Sequence, residues 1–179
     1  MNGVTKRNQN TMMIDVICNT AEEQKAKDLC QKFIDDMPHC RNLLLTGPCG
    51  TGKTMMASAI VNELDKMYQT GAIRTVTQMS MQMDKARDFS TSLQATDVLA
   101  SLINVDLLVI DEFAVQKGTT AEYLLLDQVM DGRYGEMKPS IIISNLTGQM
   151  IGELMGDRIV SRLKSDLTQI VFNGKDRRL

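Results

Sequence analysis

The sequence predicts an α/β domain, a three-layer α/β/α sandwich built on a five-stranded parallel sheet. Strand-like and helix-like stretches alternate along the chain, the pattern of strands joined by crossover helices. Two of the strand-like stretches, Leu107-Leu108-Val109-Ile110 and Ile141-Ile142-Ile143, are apolar without a break. A strand wetted on one face alternates, so an unbroken one is covered on both faces. The 179 residues suffice for one such domain with a substantial core, and no repeat or linker divides them.

Each element follows from local pattern. Residues 1 to about 13 are polar and aperiodic and read as a mobile tail, so the expected division is a tail over 1–19 and one domain over 20–179. Thr20, with Glu23 three residues on, suggests a capping box opening a helix. The helix carries Ala26, Leu29, Cys30, Phe33, Ile34 and Met37 at helical spacing and ends at Pro38. Arg41 to Thr46 then reads as a strand, Lys53 to about Tyr68 as a helix, and Ala72 to Gln78 as a strand. Helical stretches follow up to about Ile103. Asp106 to Asp111 is the third strand, Thr120 to Tyr134 a helix, and Ser140 to Ser144 the fourth strand. Thr147 to Lys164 is helical with a break at Gly156-Asp157, and Thr168 to Phe172 is the last strand.

Composition excludes several function classes. Apolar residues make up 43% and charged residues 23%, ordinary values for a globular domain. The formal charge of −2 gives no bulk attraction for nucleic acid, so any such binding needs a local patch or one repeated around an oligomer. No apolar run approaches the roughly 20 residues that span a bilayer, and a membrane partner is not expected. The N-terminus lacks a signal-peptide layout. The four cysteines, Cys18, Cys30, Cys40 and Cys49, form no CxxC pair, and the single histidine, His39, completes no zinc set. They read as reduced thiols in a cytoplasm. Fourteen methionines read as core filler.

The chemistry begins at GPCGTGKT. Gly47, Pro48, Cys49, Gly50, Thr51, Gly52, Lys53 and Thr54 match the phosphate-binding loop pattern in the context it requires, behind a strand and opening a helix. The glycines let backbone N–H groups converge on phosphate, and the helix N-terminus adds its dipole. Lys53 is expected at the outer phosphates of ATP, and the Thr54 hydroxyl on Mg2+. Asp111-Glu112 ends the third strand, at the sheet edge where such folds bind ligands. Asp111 there serves the hydration shell of Mg2+, and Glu112 orients and deprotonates a water. A kinase excludes water and a hydrolytic switch activates it, so the adjacent glutamate favours the switch.

Two further pieces have open alternatives on residue physics. Asn145, after the fourth strand, fits an amide sensor of the terminal phosphate and equally a turn former. Arg158 and Arg162 share a helix face, which suits stabilisation of phosphoryl charge from a neighbouring subunit and also a plain solvated face.

Taken in order, GPCGTGKT, VDLLVIDEFAVQ, PSIIISN and GDRIVSRL resemble the AAA+ P-loop ATPases of the DnaC/DnaI helicase-loader group, with IstB-type transposition helpers close by. The resemblance runs from about residue 20 to the end. It implies Walker A and B roles for Lys53, Thr54, Asp111 and Glu112, a sensor role for Asn145, and Arg162 as a finger into a neighbour's ATP with Arg158 beside it. It also implies a second sensor arginine after the last strand, Arg177 or Arg178, and a lid that is reduced or absent. It further implies single-stranded DNA as a partner, held by an ATP-dependent oligomer. The contacts would come from the helical region Gln78 to Ile103, through Lys85, Arg87 and Phe89, and from Gln116, Lys117 and Thr119. For these the alternative is a solvated helix face. A replicative helicase of the DnaB type is the expected protein partner, although the residues before Gly47 read as one helix and a tail rather than a gripping domain. Three other functions share some or all of these pieces: an IstB-like helper acting on duplex DNA, a nucleotide-gated adaptor with little hydrolysis, and a small-molecule kinase.

Overall fold

The computed structural model describes residues 2–37, 39, 42–88, 92–113, 119–164 and 167–177. Five strands, β1 (Asn42–Thr46), β2 (Gly71–Thr75), β3 (Leu107–Asp111), β4 (Ser140–Ser144) and β5 (Leu167–Val171), form one sheet in the order β2-β3-β4-β1-β5. Every neighbouring pair is parallel.

The helices are α1 (Ala21–Asp35), α2 (Lys53–Lys66), α3 (Val76–Arg87), α4 (Ala95–Asn104), α5 (Thr120–Gly135) and α6 (Gly148–Lys164). Side chains alternate across a strand, and the apolar runs divide accordingly. Leu43, Leu45, Leu107, Val109, Ile141 and Ile143 join Phe33, Ala57, Ile60 and Leu64 of α1 and α2 in one cluster. Leu44, Leu108, Ile110 and Ile142 join residues of α3, α4, α5 and α6, among them Met79, Leu102, Val129 and Ile159, in the other. The unbroken strands are covered on both faces, and the three-layer parallel α/β architecture is the expected one.

The boundaries shift where capping decides them. Thr75 and Gln78 form a reciprocal capping box, so the second strand stops at Thr75 and Gln78 belongs to α3. The Thr20 hydroxyl caps α1 through Glu23 N–H, whereas the Glu23 carboxylate accepts from Asn19 N–H. α6 breaks at Gly156, whose φ of 69° lies outside the helical region, at the position expected. Pro38 and Arg41, expected to end the first helix and to begin the first strand, lie outside the described residues.

The segment read as a mobile tail packs as a strap. Asn2 C=O accepts from Ile73 N–H on the outer edge of β2. Asn62 of α2 donates to the carbonyls of Asn8 and Thr11, and Met13 N–H reaches the Glu63 carboxylate. Met13 and Val16 are both 2% exposed and belong to the α1/α2 core cluster. Isolated apolar anchors with no period hold the strap, which is why it has no helical or strand signature.

One buried cation organises the far end of the sheet. Arg133 is 1% exposed and donates to Ser140 Oγ and to the carbonyls of Leu102, Ile103, Val105, Asp106 and Pro139. It collects the C-terminus of α4 and the approaches to β3 and β4. Burial pushes its pKa down to about 10, which leaves it protonated at neutral pH.

Candidate functional site

The C-terminal ends of β1, β3 and β4 open on a cavity of about 310 Å³, within the range of small-ligand sites. Its wall includes Cys49, Gly50, Gly52, Lys53 and Thr54 from the glycine loop, Asp111 and Glu112 after β3, and Ser144 and Asn145 after β4. Sequence positions from Cys49 to Asn145 converge here because β1, β3 and β4 are adjacent in the sheet.

The loop is shaped by backbone that only glycine adopts freely. Gly47 has a φ of 135°, and a Cβ on it would lie 2.1 Å from Phe172 C=O. Phe172 in turn donates its N–H to Thr46 C=O at 2.7 Å, so the end of β5 braces the start of the loop. Gly50 and Gly52 are also left-handed, the pattern that turns successive N–H groups toward an anion. Gly52 is the N-cap of α2.

Lys53, 6% exposed, folds over the loop and donates to the carbonyls of Gly47 at 2.6 Å and Pro48 at 2.7 Å. The Thr51 hydroxyl also donates to Pro48 C=O, and Thr51 is buried. Cys49 is exposed on the cavity wall.

The loop and β3 are joined directly. Thr54 Oγ1 donates to Asp111 Oδ2 at 2.9 Å, across 57 residues. The other Asp111 oxygen accepts Glu112 N–H at 2.7 Å. Glu112 is held at a φ of 55°, a left-handed conformation that costs a non-glycine residue on the order of 1 kcal/mol or more. The next residue fixes that turn: Phe113 donates its N–H to Ile143 C=O and accepts from Ser144 Oγ. Asn145, exposed at the mouth, follows Ser144 directly.

A phosphate-bearing ligand with a divalent cation fits these residues. The left-handed glycines form an anion nest, and the Lys53 ammonium already rests on oxygen acceptors that phosphate oxygens would replace. A hydroxyl paired with a carboxylate is a hard-oxygen donor set suited to Mg2+, which keeps waters and phosphate oxygens for its other ligands. Among the described residues no group of three or more His, Cys, Asp or Glu side chains could hold a metal.

Other expected residues lie elsewhere or are already engaged. Arg177 lines the cavity, but its guanidinium donates to Ile17 C=O and pairs with Glu23 at 3.0 Å, and its backbone N–H donates to Gly50 C=O. Its Nε is buried without a partner. Arg158 and Arg162 do not line the cavity; both face the Asp127 carboxylate of α5. Arg178, Phe89, Gln116 and Lys117 lie outside the described residues. Arg87 is exposed and pairs with Asp84 on its own helix, and Lys85 lies two residues before it in the last turn of α3. Thr119, expected at DNA, caps α5 in a box with Glu122. Among the described residues no helix follows β5.

Sequence reasoning missed Arg7 and Asn8, which the strap carries into the cavity wall. Their signal lay in the apolar anchors Val4, Met13 and Val16, spaced through an otherwise polar segment.

Comparison with known proteins identifies the family and the fold. A family model described as IstB-like ATP binding protein matches residues 9–170. The replicative helicase loader DnaC of Escherichia coli K12 is 28% identical over 174 residues, covering 96% of this chain and 70% of DnaC. The crystal structure of the DnaC helicase loader superimposes with a TM-score of 0.82 at 18% identity, over 94% of this chain and all of that one. The replication initiator DnaA bound to AMPPCP and single-stranded DNA gives 0.79 at 20% identity, over 97% of this chain and 53% of DnaA. The fold is that of the AAA+ P-loop domains, and a match over nearly the whole chain places it in a family: it is a member of the IstB-like ATP binding proteins.

Proposed function

We propose that this chain is an ATP-hydrolysing switch of the helicase-loader type, assembling on single-stranded DNA and acting with a replicative helicase of the DnaB kind. The Thr54–Asp111 hydrogen bond carries the reading, because it joins the phosphate loop to a carboxylate pair within one cavity. The relatives support the biological setting: one is named a replicative helicase loader, and a structural neighbour is bound to AMPPCP and single-stranded DNA.

Lys53 leaves the carbonyls of Gly47 and Pro48 for the outer phosphates of ATP. Thr54 and Asp111 would hold Mg2+, which would neutralise phosphate charge there. Glu112, aimed by its strained backbone, orients the attacking water and takes its proton. Asn145, at the end of β4 between the carboxylate pair and the glycine loop, hydrogen-bonds the terminal phosphate or that water. Arg177 borders the glycine side of the nucleotide. Arg162, with Arg158 beside it, acts from a neighbouring copy, so ATP orders the oligomer and hydrolysis releases it.

Glu112→Gln keeps the shape of the site and removes the base. ATP binding should stay at the wild-type level while turnover falls by at least about 100-fold, with or without single-stranded DNA. Wild-type turnover in this variant would overturn the mechanism. The family match also favours a second reading, a transposition helper with the same ATPase site. Preference for duplex over single-stranded DNA, measured by fluorescence anisotropy with ATP analogue present, would select it.

A further inference from the structure

Arg7 lines the nucleotide cavity, yet it belongs to the strap and to none of the sheet-end loops. The other described arginines are all engaged by protein acceptors. Arg74 donates to Ile73 C=O, Arg87 pairs with Asp84, and Arg133, Arg158, Arg162 and Arg177 are held as described above. Arg7 is exposed, and among the described residues it makes neither a hydrogen bond nor an ion pair.

Its position along the cavity is set by its neighbour. Asn8 Nδ2 donates to Ser58 Oγ at 3.3 Å, and Ser58 Oγ donates to Thr54 C=O at 2.8 Å. Ser58 lies one turn beyond Thr54 on α2, so this chain of bonds fixes the strap beside the Thr54–Asp111 pair. Asn62 grips the Asn8 and Thr11 carbonyls one turn further on. Arg177 stands on the opposite side, over the glycine loop. The free guanidinium therefore borders the end of the cavity where Thr54, Asp111 and Glu112 meet, the end for the outermost phosphate.

We propose that Arg7 is a phosphate-binding residue that acts in cis on the terminal phosphate of a nucleoside triphosphate, so that the strap distinguishes triphosphate from diphosphate. This rests on the nucleotide reading above and adds to it a discriminating residue from the chain's own N-terminal segment. A guanidinium offers planar, paired donors to phosphate oxygens, and an arginine without a protein acceptor gives up none to bind them.

The test uses the full chain, a fluorescent non-hydrolysable ATP analogue and the matching ADP derivative, in equilibrium binding. Arg7→Ala should weaken the triphosphate roughly tenfold or more and the diphosphate less than about twofold. Arg7→Lys, which keeps charge and loses the fork, should fall between. Arg7 is exposed and unbonded, so thermal midpoints should not move. Equal triphosphate-to-diphosphate ratios in wild type and Arg7→Ala, or tighter triphosphate binding in the variant, would overturn the role of Arg7. Lys53→Ala separates the two readings: if the wild type binds neither nucleotide, or Lys53→Ala binds both as well as the wild type, the nucleotide reading itself falls and takes this one with it.

Discussion

Arg162 of α6 meets the Asp127 carboxylate of α5 at 3.3 Å, across 35 residues of sequence. The pair is mostly screened from water, with the Arg162 side chain 18% exposed, and Asp131 contacts the same guanidinium. The arginine read as a finger is thus held in place between α5 and α6, away from the cavity its own chain forms. Arg162→Ala should still bind ATP and lose on the order of a thousandfold in turnover. Mixing it with Lys53→Ala should restore part of the activity, since each variant supplies the half the other lacks. Absence of rescue in the mixture would count against a shared site.

Arg133 is a different kind of arginine, satisfied almost wholly by backbone carbonyls. Arg133→Met should destabilise the fold by about 3 kcal/mol or more, because several buried carbonyls lose their donor at once. Arg133→Lys should not rescue it, since an ammonium cannot span the same set of acceptors. Urea unfolding of the three proteins measures both. Wild-type stability in the methionine variant would show that these carbonyls find other partners.

Acid should loosen the joint between α1 and the C-terminal segment. Asn19 N–H, at 2.7 Å, lowers the pKa of Glu23 from its ordinary 4.5; burial opposes this, and the nearby Arg177 guanidinium lowers it further. The folded value is the lower one, so the unfolded chain takes the proton first as pH falls. The stabilisation is complete above 4.5 and is lost as pH drops through the folded value. Glu23→Gln should be less stable than wild type at pH 7, and the gap should narrow below pH 4.5. A gap in thermal midpoint that stays constant with pH would remove the charge of Glu23 as its origin.

Thiol reactivity should separate Cys49 from Cys30. Burial pushes the Cys30 thiol up to about 12, whereas Cys49 stands exposed on the cavity wall. Iodoacetamide at neutral pH should modify Cys49 and leave Cys30 untouched until the protein unfolds. The adduct should abolish ATP binding in the wild type and leave Cys49→Ala binding normally. Unimpaired binding by protein shown by mass spectrometry to be alkylated at Cys49 would sink the prediction.

The sheet and the glycine loop were legible because their signals are local. Leu107 to Ile110 and Ile141 to Ile143 announce buried strands, and Gly47 to Thr54 specify their own backbone shape. The end of β2 was misread because Val76 prolongs an extended-looking run, although Thr75 and Gln78 already spelled the cap. Arg133 gave no sign, since one arginine on an amphipathic helix reads as solvated until the carbonyls around it are known. The strap was hidden for a related reason. Val4, Met13 and Val16 pack against α1 and α2 singly and at no fixed interval. Asp111 and Glu112 were found from adjacent sequence, whereas Arg7 enters the cavity wall only through Asn8, Ser58 and Asn62.

The position of β1 sets when the site can exist at all. β1 lies between β4 and β5, paired as Leu43 with Ile141 and with Thr168, and Gly47 rests against Phe172. β1 therefore waits for β4 to cover one edge and for β5 to cover the other, both made much later than itself. Contacts of such long sequence separation close large loops and form slowly. The glycine loop, encoded well before β4 and β5, is among the last parts to take shape. A ribosome-bound chain halted before β5 would hold every Walker residue and still lack the Phe172 brace on the glycine loop.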